Sequence, residues 1–251
     1  MQAQQINIDT IANNIANVNT TGFKQGRAEF QDLLYQNVRP AGTASSSSTE
    51  YPVGLQIGLG SRPVATDRLY RQGDFRQTGN PLDLVIEGKG FFQIRMPNGE
   101  LAFTRDGSFH LNAEGSVVTA AGNPIEPQIT IPPDAQEIVI GSDGIVSITQ
   151  AGQTVAQQLG TIQIASFQNP AGLSALGGNL FLPTSASGTP TAATPGESGL
   201  GNINQGFLEQ SNVSVVEEMV NMIVAQRAYE VNSRAIRVAD DMLSQINNLA
   251  R

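Results

Sequence analysis

A chain of 251 residues with no cysteine and one histidine has no disulfides, no thiolate metal site and no cysteine nucleophile, and it leaves a zinc site short of ligands. A formal net charge of −8 gives no electrostatic footprint for nucleic acid or anionic lipid. No apolar stretch is long enough to span a bilayer, and no basic region followed by an apolar run opens the chain, so the expectation is export, if any, without a cleaved signal peptide.

Residues 1–34 read as a helical segment broken near Asn19-Thr20-Thr21-Gly22. Ile8, Ile11, Ile15 and Val18 recur at 3-4-3 spacing, the stripe of an amphipathic helix. Asn13, Asn14, Asn17 and Asn19 crowd the same stretch, although asparagine competes with the backbone for hydrogen bonds and is a poor helix former. These amides are expected to cap the helix end and bond backbone in the Thr20–Gly22 turn, the alternative being that they face solvent.

Residues 35–74 read as an extended arm and connector with short strands. The piece "PAGTASSSSTEYP", Pro40 to Pro52, is poor in apolar residues and suits a loop or an arm that orders against a partner. From 75 to 205 the period becomes short and strand-like, which predicts a central, mainly antiparallel β domain of meanders. Asp106-Gly107 lies between two strand-like runs and predicts a hairpin. "LNAEGSVVT" repeats the pattern, Ser142-Asp143-Gly144 predicts another hairpin, and Ile162, Ile164 and Phe167 alternate. Thr184 to Gly199 is rich in Pro, Gly, Ser and Thr and reads as a long surface loop.

Helical period returns over 206–251. Ser214-Val215-Val216-Glu217 is a capping box, and no Pro or Gly interrupts the sequence from there to Leu249. About 35 residues at 1.5 Å make a rod of roughly 50 Å. Met222, Ala225, Tyr229, Asn232, Ile236, Ala239, Leu243 and Ile246 form one heptad seam. Val224, Ala228, Val231, Ala235, Val238, Met242 and, after Gln245, Leu249 form a second. The seams lie roughly 110° apart, which suits packing against two neighbours or a wide stripe facing one helical core. The short N-terminal helix alone offers too little surface for both, so neighbouring chains are expected to supply the rest. The fold class is α+β, with N- and C-terminal helices pairing as a coiled coil around a mainly antiparallel β domain.

Catalytic chemistry is hard to find. His110 sits in a strand-like run and is read as structural, and no G-x-S-x-G surrounds a serine. Gly58-Leu59-Gly60 and Gly88-Lys89-Gly90 lack the rest of a phosphate loop and read as turns. Asp83, Glu87, Glu100, Asp106 and Glu114 read as solvated strand faces and turns rather than an acid–base pair. No cofactor is expected.

The two ends of the chain carry a resemblance. "NNIANVNTTGFK" is similar to the N-terminal signature of the axial proteins of the bacterial flagellum, the rod and hook family. Asn14, Ala16, Asn17, Thr21, Gly22 and Phe23 carry that match. "SNVSVVEEMVNMIVAQRAYEVNSRAI" resembles the family's closing helix, with "RDGSFHLNAEGSVVTAAGNPI" matching between the two. The segment Tyr35 to Pro52 resembles the insertion of the family's distal rod members, whereas hook members are longer. Family members usually begin earlier, with more apolar helix ahead of the equivalent of Gln2-Ala3-Gln4-Gln5.

The resemblance implies a structural subunit of the distal rod in the flagellar basal body, a helical homopolymer crossing the periplasm. It would transmit torque to the hook and line part of the type III export channel. Implied partners are further copies of the chain, proximal rod proteins, hook protein, the ring proteins that act as a bushing, and the rod cap and export apparatus. Assembly would use Ile8, Ile11, Ile15 and Val18 with the two seams, and Asn232 at a d position would fix register. Alternatives are a proximal rod or short hook subunit, an exported monomeric enzyme, and an adhesin.

Overall fold

A computed structural model describes residues 1–43, 51–150 and 156–249, the side chains of Asn247 and Leu249 excepted. Residues 44–50 of the expected arm and the Leu249 position of the second seam therefore lie outside the description. The described residues form two compact units, each assembled from separated stretches of chain. One holds Met1–Ile15, Gly26–Asp67 and the residues from Val215 on, and the other holds Ala16–Gln25 and Arg68–Ser214.

Period-two patterning builds the second unit. Its central sheet has six strands in the order Ser174–Gly177, Leu180–Leu182, Leu101–Thr104, Phe91–Arg95, Ile164–Ser166 and Thr191–Ala193. Successive side chains of a strand point to opposite faces. Phe92, Ile94, Ala102, Ile164 and Leu180 therefore join an aliphatic core on one face with Leu84, Ile86, Ile125, Ile148 and Ile203. Phe91, Phe103, Ala165 and Phe181 join an aromatic cluster on the other face with Phe167 and Leu173. Phe103 and Phe167 meet edge to face at 4.8 Å and 90°. A sheet buried on both faces accounts for the near-continuous apolar runs.

The expected hairpins divide. Phe109–Leu111 pairs with Val117–Thr119, where the Asn112 Oδ1 accepts the Glu114 and Ser116 N–H groups. Ala135–Ile140 pairs with Ile145–Gln150 through a turn with Gly144 at φ +80°. The Asp106-Gly107 hairpin does not form. Leu101–Thr104 pairs instead with Phe91–Arg95 and Leu180–Leu182. At Gly107 the chain crosses Leu84, whose N–H donates to the Gly107 carbonyl at 3.0 Å. A Cβ on Gly107 would stand 1.7 Å from the Leu84 oxygen, so the glycine serves a close approach rather than a reversal. The segment 184–199 is not wholly loop either, because Thr191–Ala193 adds the edge strand beside Ile164–Ser166.

The first unit holds two helices and two strand pairs. Helix α1 spans Gln2–Ala16 and α2 spans Val215–Leu249. Gly26–Asp32, expected to be helical, is a strand paired with Ser61–Arg68, and Tyr35–Arg39 pairs with Leu55–Gly58. Contacts from outside the segment hold it extended. Asn14 Nδ2 donates to the Gly26 carbonyl and the Gly26 N–H donates to Asn14 Oδ1, both at 2.8 Å, so one side-chain amide stands in for a neighbouring strand. Among the described residues α1 and α2 share no extended contact within the single chain.

Replacing Gly107 by alanine is expected to lower stability by about 3 kcal/mol through the clash with the Leu84 oxygen. Urea unfolding should show a lower midpoint with an unchanged slope.

Candidate assembly site

Helix α2 begins at Val215, which puts Ser214 at the N-cap position, and Glu217 and Glu218 in the first turn suit the positive end of the helix dipole. Its 35 residues extend for about 52 Å. Both seams face water along most of that length. In the first, Met222 is half-buried and Ala225 buried, while Tyr229, Asn232, Ile236, Leu243 and Ile246 are exposed. In the second, Val224, Val231, Val238 and Met242 are exposed, Val231 to 65%. Isolated exposed apolar residues are ordinary, whereas a continuous row of them along a helix is an apolar surface of the kind found at interaction sites.

On α1, Ile11 is buried and Ile8 and Ile15 are half-buried, as is Val18 just beyond the helix end. The asparagines divide. Asn14 bonds the backbone of Gly26 rather than the turn, and Asn17 Oδ1 accepts the Thr20 hydroxyl at 3.1 Å. Asn13 and Asn19 are exposed, as is Ala16 of the signature.

Thr21, Gly22 and Phe23 are fixed by the β unit. Gly22 has φ +68°, and a Cβ there would lie 2.7 Å from the Arg105 carbonyl carbon, so only glycine fits. The Gly22 N–H donates to the Glu209 carbonyl at 2.8 Å, and Asn179 Nδ2 donates to the Thr21 carbonyl at 3.1 Å. Phe23 is buried, with the Arg68 guanidinium 5.9 Å from its ring centre.

Next to this turn lies a cluster that sequence reasoning missed. Lys24 is fully buried and its Nζ donates to Glu209 Oε1 at 2.6 Å and to the Arg71 carbonyl at 2.8 Å. Glu209 Oε1 also accepts the Gly73 N–H at 2.9 Å, while Oε2 faces Arg105 Nη1 at 3.4 Å. Arg105 in turn donates to the Ile86 and Gly88 carbonyls. Two cations thus share one carboxylate out of water. Burial pushes the Lys24 ammonium below the usual lysine range, against the pull of Glu209, and lowers Arg105 in the same way. Gly73 belongs to the same arrangement, since a Cβ on it would stand 2.1 Å from the Gln210 oxygen. The one signal in the sequence was position, with Lys24 directly after Thr21-Gly22-Phe23. Charges in a chain of this composition otherwise read as solvated.

Family profiles match three stretches. The profile described as flagella basal body rod protein matches residues 1–24, that of the flagellar hook protein FlgE/F/G D1 domain 85–148, and that of the flagellar basal body rod FlgEFG protein C-terminal region 204–249. The chain is 51% identical to the flagellar basal-body rod protein FlgG of Buchnera aphidicola, with 99% of this chain and 96% of the relative aligned. It is 50% identical to the protein of the same description in Borreliella burgdorferi, over 100% of this chain and 96% of the relative. Likeness to the flagellar basal-body rod protein FlgF of Caulobacter vibrioides is lower, 39% over 89% of this chain and 83% of the relative.

Glu209→Gln removes the charge that two buried cations share and should cost about 3–5 kcal/mol of stability by chemical denaturation. Asn14→Ala deletes two hydrogen bonds to Gly26 and should cost about 2 kcal/mol.

Proposed function

This chain belongs to the family of flagellar basal-body rod proteins, and on that premise we propose that it polymerises through its terminal helices into the wall of a hollow shaft. It is a structural subunit of the distal rod in the flagellar basal body, and not an enzyme. The observation that carries the polymerisation reading is the exposure of both apolar seams on α2. A helix about 52 Å long with two wet seams gains by covering both.

In the assembled shaft α1 and α2 pair as a coiled-coil inner layer. One seam of α2 takes the stripe Ile8, Ile11, Ile15 and Val18, and the other takes a neighbouring subunit. Asn232, exposed on the single chain, sits at a d position where an amide bonding its counterpart sets register. Ring proteins act as a bushing around the shaft. Proximal rod proteins adjoin one end and hook protein the other, and the rod cap and export apparatus deliver subunits through the channel. The shaft crosses the periplasm carrying torque to the hook.

Electron microscopy of the concentrated full chain should show hollow tubes. Val231→Asp with Val238→Asp should raise the concentration needed for assembly by about 100-fold, since each valine buried on contact is worth about 1.5 kcal/mol or more. Thermal unfolding of the β unit should not change. Tubes that form at the wild-type concentration would overturn this use of the seam. Asn14→Ala with Asn17→Ala should likewise leave the β unit folded and impair assembly.

A further inference from the structure

We propose that the Lys24–Glu209–Arg105 cluster is a mechanical clamp. It ties the segment leaving α1 to the segment entering α2, so that force passed between the two tails crosses the clamp and bypasses the central six-stranded sheet. The inference rests on the rod-subunit reading, because a clamp has a task only where the tails bear load.

Lys24 and Glu209 are separated by 185 residues of chain, a stretch that would reach about 600 Å if fully extended. Three bonds short-circuit it: the Gly22 N–H to the Glu209 carbonyl at 2.8 Å, Lys24 Nζ to Glu209 Oε1 at 2.6 Å, and the Gln25 N–H to Asn212 Oδ1 at 2.8 Å. They lie side by side, so a pull on the tails loads them together. The segment 69–73 binds the arrangement from one side. The Leu69 N–H donates to the Gln25 carbonyl, Asn212 Nδ2 to the Leu69 carbonyl, and the Gly73 N–H to Glu209. Lys24 and Glu209 are 0% and 1% exposed, so water cannot replace a bond as it stretches.

Stability alone does not call for this design. Well-packed apolar side chains in place of a buried ion pair are commonly neutral or more stable, and here a second cation adds further desolvation. An ion pair supplies what apolar packing lacks, a directional link between two named points of the chain. The glycines that let the segments approach so closely, Gly22 and Gly73, serve the same end.

Lys24→Met tests the clamp in the full-length chain. It leaves Arg105 and Glu209 as a charge-balanced pair, so the β unit still folds. Hydrogen exchange should quicken ten-fold or more at the amides of Gly22, Gln25, Leu69 and Gly73, with no change in Phe91–Arg95 and Leu101–Thr104. Equal acceleration in those central strands would reduce the cluster to a general contribution to folding, and no acceleration would leave it without a holding role. Either outcome overturns the proposal.

The absence of cysteine allows unique handles at Ala12→Cys and Val220→Cys for optical-tweezer pulling. The first rupture should occur at lower force in Lys24→Met than in the parent. An unchanged rupture force overturns the clamp while leaving tube formation by the parent, scored separately by microscopy, untouched. Failure of the parent to form tubes would remove the rod-subunit reading without altering the exchange result.

Discussion

Burying a carboxylate costs several kcal/mol unless its lone pairs are filled, and at Glu209 they are filled by three parts of the chain. Lys24 comes from the turn after α1, Gly73 from the connector ahead of the β unit, and Arg105 from the end of a central strand. Each of these groups faces the same carboxylate. The arrangement therefore sets a condition that the rest of the fold meets. Gly22 and Gly73 have no side chain because the backbones they pass leave no room for one, and Asn179 takes a left-handed φ of 60° while bonding the Thr21 carbonyl. The N-terminal signature Thr21-Gly22-Phe23 is in this light a docking sequence for the protein's own β unit.

A second theme is the use of side-chain amides where a strand ladder would otherwise end. Asn14 exchanges two hydrogen bonds with Gly26 as a neighbouring strand would. Gln205 does the same at the edge strand Ala135–Ile140, accepting the Ile140 N–H and donating to the Ile138 carbonyl. Asn212 serves Gln25, Leu69 and Arg71 together. Edge strands with free backbone groups invite pairing with other chains. At these positions the amides supply the partners that a further strand would have given.

Reading the chain from its residues went furthest where a signal was local. The capping box placed the start of α2 at Val215, and the turns at 112–116 and 141–144 sit where their Asn, Asp and Gly residues predicted. Reading failed where a distant contact overrode the local one. Asp106-Gly107 has the composition of a hairpin turn, yet Leu84 approaches from elsewhere and occupies the space. Gly26–Asp32 carries residues compatible with a helix, yet Asn14 and Ser61–Arg68 hold it extended. The crowding of asparagines marks Asn14, but nothing in the sequence names Gly26 as its partner. Lys24, Arg105 and Glu209 escaped notice because nothing in the sequence around a charged residue says whether it will meet a partner out of water.

By itself the sequence determined the class of the molecule. Periodicity separates the helical tails from the strands, and the two seams of α2 follow from spacing along one continuous helix, which no remote contact alters. Only the tertiary structure decided which charges are buried, which glycines have no alternative, and which strands pair. Those outcomes depend on contacts between residues far apart in the chain, such as the 185 positions separating Lys24 from Glu209. Hydrogen bonds and close packing act over a few ångströms in space, whatever the distance along the chain.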